Sequence, residues 1–195
     1  DAALAAWLGR IPRRIGYARD GRGFLLTDPI PVPAKGEIPL HERFYYLELL
    51  RRADLIRELP VCFDIRLSET DAFKTDGQAE WHRRGIAEDR WIGVSPGAAF
   101  GGAKRWIPER FAEAVKRLSW ELDAGIAVFG SASEMALAER VAELAGPRAY
   151  NLAGDTTLAE YLQLAATCSI YLTNDSGSMH VAAALGVPTV AIFGA

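Results

Sequence analysis

Apolar and polar positions alternate in a steady rhythm through the second half of the chain. Arg90–Ser95 (RWIGVS) is a short apolar run closed by Pro96-Gly97, which reads as a strand followed by a turn. Pro108 then opens PERFAEAVKRLSWEL, where Phe111, Ala114, Val115, Leu118 and Leu122 recur three and four residues apart along one helical face. Proline suits the first turn of such a helix. Gly125 ends it, and Ile126–Phe129 reads as the next strand. Gly130, Ser131, Ala132 and Ser133 form a loop, with Ser133 placed to cap a helix from Glu134 to about Leu144. After the turn at Gly146-Pro147, AYNLAG is a short strand. Thr157 precedes LAEYLQLAATC with Glu160 three residues on, the capping-box pattern. Ser169–Thr173 is then a strand, Asn174–Gly177 a loop, Ser178–Leu185 a helix and Pro188–Phe193 a strand.

Strand and helix alternate, and each crossover is long enough to hold a helix. That pattern requires a mainly parallel sheet with helices on both faces, and ligands of such sheets collect beyond the C-terminal ends of the strands. The first half is less regular. RRIGY is a strand, GRGFLLTDPIPVPAKGEIP a Pro/Gly-punctuated loop with a short extended piece, and HERFYYLELLRRADL a helix. SETDAFKTDGQAEWHRRGIAEDR holds one helix and a connection, which places a domain boundary near Asp89. The opening DAALAAWLGRIPRR reads as the middle of a helix and the closing VAIFGA stops as a strand ends, so the chain is expected to be truncated at both ends.

Composition narrows the function classes. A formal net charge of −3 gives no global basic field for nucleic acid. Arginines gather locally at Arg10, Arg13 and Arg14, an arrangement open to a solvated surface or to contact with anionic lipid. Cys62 and Cys168 lie in no CxxC or Cys/His cluster, so a reducing compartment and a buried, unreactive Cys168 are expected. His41, His82 and His180 are far apart with no companion ligands, so no metal site is expected. No apolar run approaches the roughly 20 residues of a membrane span.

The candidate chemistry sits in three loops. In TNDSGSMHVAAALGVPTVAIFG, a strand delivers Asp175, Ser176 and Gly177 to the start of a helix, whose free N–H groups and dipole suit phosphate. The same spacing also allows Asp175 or Ser176 simply to cap that helix. In SPGAAFGGAKRWIPERF, a glycine-containing loop carries Lys104 and Arg105 just ahead of a helix. Lysine there is either a phosphate ligand or a solvated surface charge, and the loop lacks the GxxxxGK[ST] of a P-loop. In FGSASE, Glu134 either accepts from ribose hydroxyls or favours a helix start, and no GxGxxG accompanies it. His180, one turn into the last helix, faces phosphate or is a partly buried structural residue.

These residues resemble glycosyltransferase family 9, the ADP-heptose:lipopolysaccharide heptosyltransferases. The resemblance is carried by SPGAAFGGAKRW, FGSASE, NLAGDTTLAE and TNDSGSMHVAAALGVPTVAIFG in that order, and GRIPRRIGYARDGRGFLLTD with HERFYYLELL resembles the end of the family's N-terminal domain. It implies an α/β fold of GT-B type, two Rossmann-like domains with mainly parallel sheets. Residues 1–88 would be the rest of an acceptor-side domain with its linker, and residues 89–195 an incomplete nucleotide-sugar domain. It further implies that Lys104 binds donor phosphate, Glu134 the ribose, and Ser176 and Gly177 the diphosphate beside Asp175, with Gly97, Arg105, Met179 and His180 as further contacts. Two departures stand out: Ile107 takes the place of a usual proline, and Ser178 that of a usual leucine. The family's catalytic aspartate is expected upstream of this chain, and no base is assigned within it.

The implied reaction is an inverting transfer of heptose from ADP-heptose to the lipopolysaccharide inner core, without metal or cofactor. The resemblance implies a cytoplasmic monomer, peripheral at the inner face of the inner membrane. Two rivals share the pattern: a sugar-nucleotide epimerase of similar fold, and a nucleotide-binding module without chemistry.

Overall fold

A computed structural model describes residues 2–59, 65–98 and 104–194. The chain forms two compact units, residues 1–63 and 64–195. The first holds α1 (Ala2–Leu8), β1 (Ile15–Tyr17), a single 3-10 turn at Arg22–Leu25, β2 (Asp28–Ile30) and α2 (Glu42–Arg52). β1 and β2 pair in parallel, Ile15 beside Asp28 and Tyr17 beside Ile30. Tyr17 and Phe44 are buried here, and the Tyr17 hydroxyl donates to the Tyr45 carbonyl at 2.6 Å. Glu48 is buried as well. It accepts from Arg51 through Nε at 2.8 Å and Nη2 at 2.6 Å, and from Arg52 Nε at 2.7 Å. The Arg51 hydrogen bonds outweigh burial, so its carboxyl is held down to about 2.

The second unit holds α3 (Thr70–Arg83), β3 (Trp91–Ser95), α4 (Pro108–Leu122), β4 (Gly125–Val128), α5 (Met135–Ala145), β5 (Ala149–Asn151), α6 (Leu158–Ala166), β6 (Cys168–Asn174), α7 (Gly177–Ala184) and β7 (Thr189–Ile192). Five strands run in the order β5-β4-β3-β6-β7, every pairing parallel. Successive side chains of a strand face opposite ways, which splits the core into two layers. Ile92, Val94, Ile126 and Val128 pack with Phe111, Val115 and Val141 of α4 and α5. Trp91, Ala127, Phe129 and Tyr171 pack with Trp81, Leu164 and Leu185 of α3, α6 and the end of α7. The mainly parallel α/β architecture read from the sequence is therefore the one the chain adopts.

Two local expectations change. α3 joins the second unit, ahead of the boundary placed near Asp89. Packing explains this: Trp81 stacks on Trp91 at 3.6 Å and donates from Nε1 to distant Thr167 Oγ1 at 2.9 Å. The cap before α5 is Ser131 and not Ser133. Ser131 and Glu134 form a capping box around a short 3-10 turn, Ala132–Glu134, and α5 begins one residue later. The short extended piece expected in the first half is the strand Asp28–Ile30, which tolerates Pro29 because β1 is its one strand partner among the described residues.

Gly77 lets α3 close on α6. A Cβ there would run into the carbonyl of Gln163 and lie 2.7 Å from Thr167 Cγ2. We expect Gly77→Ala to cost about 1–3 kcal/mol through overpacking, despite alanine's better helix propensity, and to lower Tm measurably in a thermal melt. Glu48 gives an acid-sensitive contribution in the first unit. Its folded pKa lies below the ordinary 4.5, so its ion pairs stabilise fully above that pH and are lost as pH falls toward about 2. Glu48→Gln should therefore flatten the loss of stability over that window, followed by denaturant titration at stepped pH.

Candidate functional site

Strand order reverses between β3 and β6. The chain steps outward from β3 through β4 to β5 on one side, and from β6 to β7 on the other. Loops leaving β3 and β6 therefore part company above the sheet, and a crevice must open between them. The structure has a cleft of about 410 Å³ there. Ser95, Gly97, Ala98 and Arg105 line it from the β3 side, Phe129, Gly130, Ser131, Ser133 and Glu134 from the β4 side, and Ser176, Gly177 and Ser178 from the β6 side. A recess of about 250 Å³ shares Ser95, Phe129, Gly130, Ser131, Glu134 and Ser178 with it and adds Thr156, Thr157, Leu158 and Tyr161.

Asn174 holds the two sides of the crevice together. This fully buried side chain accepts from the Trp106 N–H at 3.0 Å and donates to the carbonyls of Pro96 at 2.8 Å and Gly97 at 3.2 Å. Sequence reading passed over it as one loop residue among several. Its signal was present: a carboxamide ends the otherwise apolar strand SIYLTN, and a buried polar group needs partners. What the sequence could not supply was the partners, since they lie 68 to 78 residues away.

Neither cap considered for α7 forms. Ser176 is extended, at φ −149° and ψ 173°, and makes no side-chain cap. Its hydroxyl instead pairs with Thr173 Oγ1 at 3.2 Å. Asp175 turns to Lys104, whose Nζ donates to Oδ2 at 2.6 Å. The first turn of α7 thus keeps its amide groups uncapped by these side chains. Gly177 adds room, since a Cβ built on it would meet nothing within 4 Å.

Glu134 takes the helix-start role read from the sequence, and it also lines the cleft. Its Oε2 accepts from the Ser131 N–H and hydroxyl, each at 2.8 Å, which begins the turn into α5. Its other oxygen lies directly over the Cα of Gly97, where any Cβ would collide with it. A side chain at position 97 would thus displace the carboxylate from its present place in the cleft wall. Arg105 anchors Nη2 on the Ala98 carbonyl at 3.2 Å. Lys104, Asp175 and half-buried Met179 are not among the lining residues. Nor is His180, which is exposed and so does not fit the partly buried structural role.

Under the cleft lies a hydroxyl chain that sequence reading did not find. Ser95 Oγ and Tyr171 Oη stand 2.7 Å apart, and Tyr171 and Tyr161 Oη 3.3 Å apart. Burial pushes the Tyr171 phenol well above its usual range, so both oxygens act as neutral hydrogen-bonding groups. Burial likewise raises the Cys168 thiol, which is inert packing as expected. Cys62 lies outside the described residues. No group of three or more His, Cys, Asp or Glu suited to a metal occurs among the described residues.

Comparison with known proteins identifies the family. Lipopolysaccharide heptosyltransferase 2 of Escherichia coli K12 is 36% identical over 206 residues, covering 99% of this chain and 56% of the relative. The solved structure titled E. coli ADP-heptose lps heptosyltransferase II superposes with a TM-score of 0.71 at 33% identity, covering 97% of this chain and 58% of that one. A glycosyl transferase family 9 structure from Veillonella parvula shares the fold, with a TM-score of 0.74 at 24% identity over 97% of this chain and 53% of its own. The chain spans a little over half the length of these proteins. The family model described as glycosyltransferase family 9 (heptosyltransferase) matches residues 1–195, and the chain belongs to that family, with its GT-B type of α/β fold.

Proposed function

We propose that residues 64–195 form the donor-nucleotide site of an enzyme that moves heptose from ADP-heptose to the lipopolysaccharide inner core. The observation that carries this reading is the crevice itself, with hydrogen-bond acceptors at one wall and an uncapped helix start at the other. Glu134 presents a carboxylate that accepts from ribose hydroxyls. Ser176, Gly177 and the first turn of α7 donate to the diphosphate, and the helix dipole adds to their pull. Lys104 reaches the same diphosphate by exchanging its Asp175 partner for phosphate oxygen. Its side chain is 45% exposed, so screening weakens the existing pair and keeps that exchange inexpensive.

In the reaction, a base removes the proton of an acceptor hydroxyl and the oxygen attacks the anomeric carbon. The bond to the diphosphate breaks and its electron pair leaves with ADP. Donors fixed at the diphosphate stabilise that charge as it develops, which is electrostatic stabilisation of the transition state. Residues 1–63 take the acceptor-side role in this reading, and the enzyme works as a cytoplasmic monomer against the inner membrane face. The arginines at Arg10, Arg13 and Arg14 supply its attraction to anionic lipid. Membership of a transferase family, together with the name ADP-heptose lps heptosyltransferase II of a 33% identical structure, favours this over epimerase or binding-module chemistry.

Calorimetric titration with ADP, UDP, GDP and NAD tests the donor reading. ADP is expected to bind selectively. Gly177→Val fills open space in the cleft, so it should leave Tm nearly unchanged while weakening ADP about 10-fold or more, the loss of one or two charge-assisted hydrogen bonds. No ADP binding by a folded sample, or a preference for UDP, would overturn the reading.

A further inference from the structure

Gly93 and Tyr171 are both unfavourable choices for a core, and they belong together. Gly93 lies in the middle of β3, a strand buried along its whole length, where glycine has no side chain to pack. Tyr171 lies beside it in β6 and is fully buried, where phenylalanine would bring no hydroxyl to satisfy. A Cβ on Gly93 would run into the Tyr171 ring, so the glycine makes the room that the ring occupies. Phe129 stacks on that ring at 5.8 Å and meets the Tyr161 ring edge-on at 5.2 Å, which holds both phenols in place.

The hydroxyl is what this arrangement places. Tyr171 Oη lies 2.7 Å from Ser95 Oγ and 3.3 Å from Tyr161 Oη, and Tyr161 is in turn hydrogen-bonded with Ser178. Ser95 and Ser178 line the cleft from its two sides, Tyr161 lines the adjoining recess, and Tyr171 lines neither. Ser178 stands where the family resemblance leads one to expect leucine, a side chain with no group to close such a chain.

We infer that Tyr171 is a positioning residue, which from beneath the cleft directs the hydroxyl protons of Ser95, Tyr161 and Ser178 toward the ligand. The inference rests on the donor-binding reading above and adds to it a residue that the ligand does not meet. Proton counting supports it. Each hydroxyl has one proton to donate, so four hydroxyls joined by three links keep one proton over. Left on Tyr171, that proton would be buried without an acceptor, which carries the full desolvation penalty. It therefore falls to Ser95, Tyr161 or Ser178, each of which lines the cleft or its recess. Hydrogen bonds in such a chain polarise one another, so a ligand oxygen that accepts at one end strengthens the links behind it. A nucleoside diphosphate, rich in acceptor oxygens, gains from that.

The test measures ADP affinity and Tm for the wild type, Tyr171→Phe, Ser95→Ala and the double variant. Tyr171→Phe keeps the ring and its packing, so it should fold and bind ADP about 3–10-fold more weakly, the range for one neutral hydrogen bond. Ser95→Ala should lose a similar factor, and the double variant little more than either, because the two act through one chain. Tyr161→Phe, which cuts that chain on its other side, should weaken ADP as well. A spectroscopic reading separates positioning from packing. In protein isotope-labelled at tyrosine Cζ, which senses hydrogen bonding at the hydroxyl, the Tyr171 signal is the one missing from Tyr171→Phe. It should move on saturation with ADP, and move less in Ser95→Ala. Wild-type ADP affinity in Tyr171→Phe, fully additive losses in the double variant, or a Tyr171 signal indifferent to ADP would each overturn the inference and leave the donor reading standing. Should Tyr171→Phe not fold, unchanged affinity in both Ser95→Ala and Tyr161→Phe would overturn it. A wild type that binds no ADP would instead remove the donor reading on which it rests.

Discussion

Asn174 sits where the two halves of the sheet diverge, and the shape of the cleft depends on its carboxamide. It ties the loop leaving β3 to the strand end of β6 above the sheet, where the exposed Lys104–Asp175 pair is a second link. Its oxygen takes the Trp106 amide and its nitrogen gives to the Pro96 and Gly97 carbonyls, so one side chain fixes both ends of the segment carrying Lys104 and Arg105. Such a group is buried at a cost of several kcal/mol unless its partners are supplied. The converse is a strong constraint: once buried, it permits only loop geometries that satisfy it.

From that tie the rest of the site follows in order. Pro96 and Gly97 are set above β3, and Gly97 is free of a side chain so that Glu134 can lie against it. Glu134 is itself held by the turn it begins, through Ser131. Across the crevice, Asp175 and Ser176 point to Lys104 and Thr173, which leaves the start of α7 uncapped by either. The result is a polar cleft lined by the Glu134 carboxylate, the Arg105 guanidinium and the start of α7, placed where parallel sheets bind ligands.

Much of this was legible in the sequence, and the residues show why. The helix at Pro108–Leu122 was visible because proline marks its start and its apolar positions keep a helical period. The Thr157–Glu160 capping box was visible because it closes within four residues. β6 and α7 were each placed within a residue or two for the same local reasons. The Asn174 tie, the Gly77 crossing and the Tyr171–Ser95 hydroxyl pair were not, since each joins residues far apart in the chain. The shift of α3 into the second unit has the same origin, because its packing on α6 is long-range. Local chemistry marked the elements, and only the fold could show which of their polar ends meet.

The central claim is that the crevice tied by Asn174 receives an adenosine diphosphate. Titrating ADP into the isotope-labelled protein and mapping amide chemical-shift changes tests it most directly. The account predicts saturable shifts concentrated at Gly97, Gly130, Ser131, Glu134 and Ser176–Ser178, around the reversal of strand order. Saturable shifts confined to another surface, such as the groove beside Tyr150 and Asn151 at the β5 edge, would contradict it.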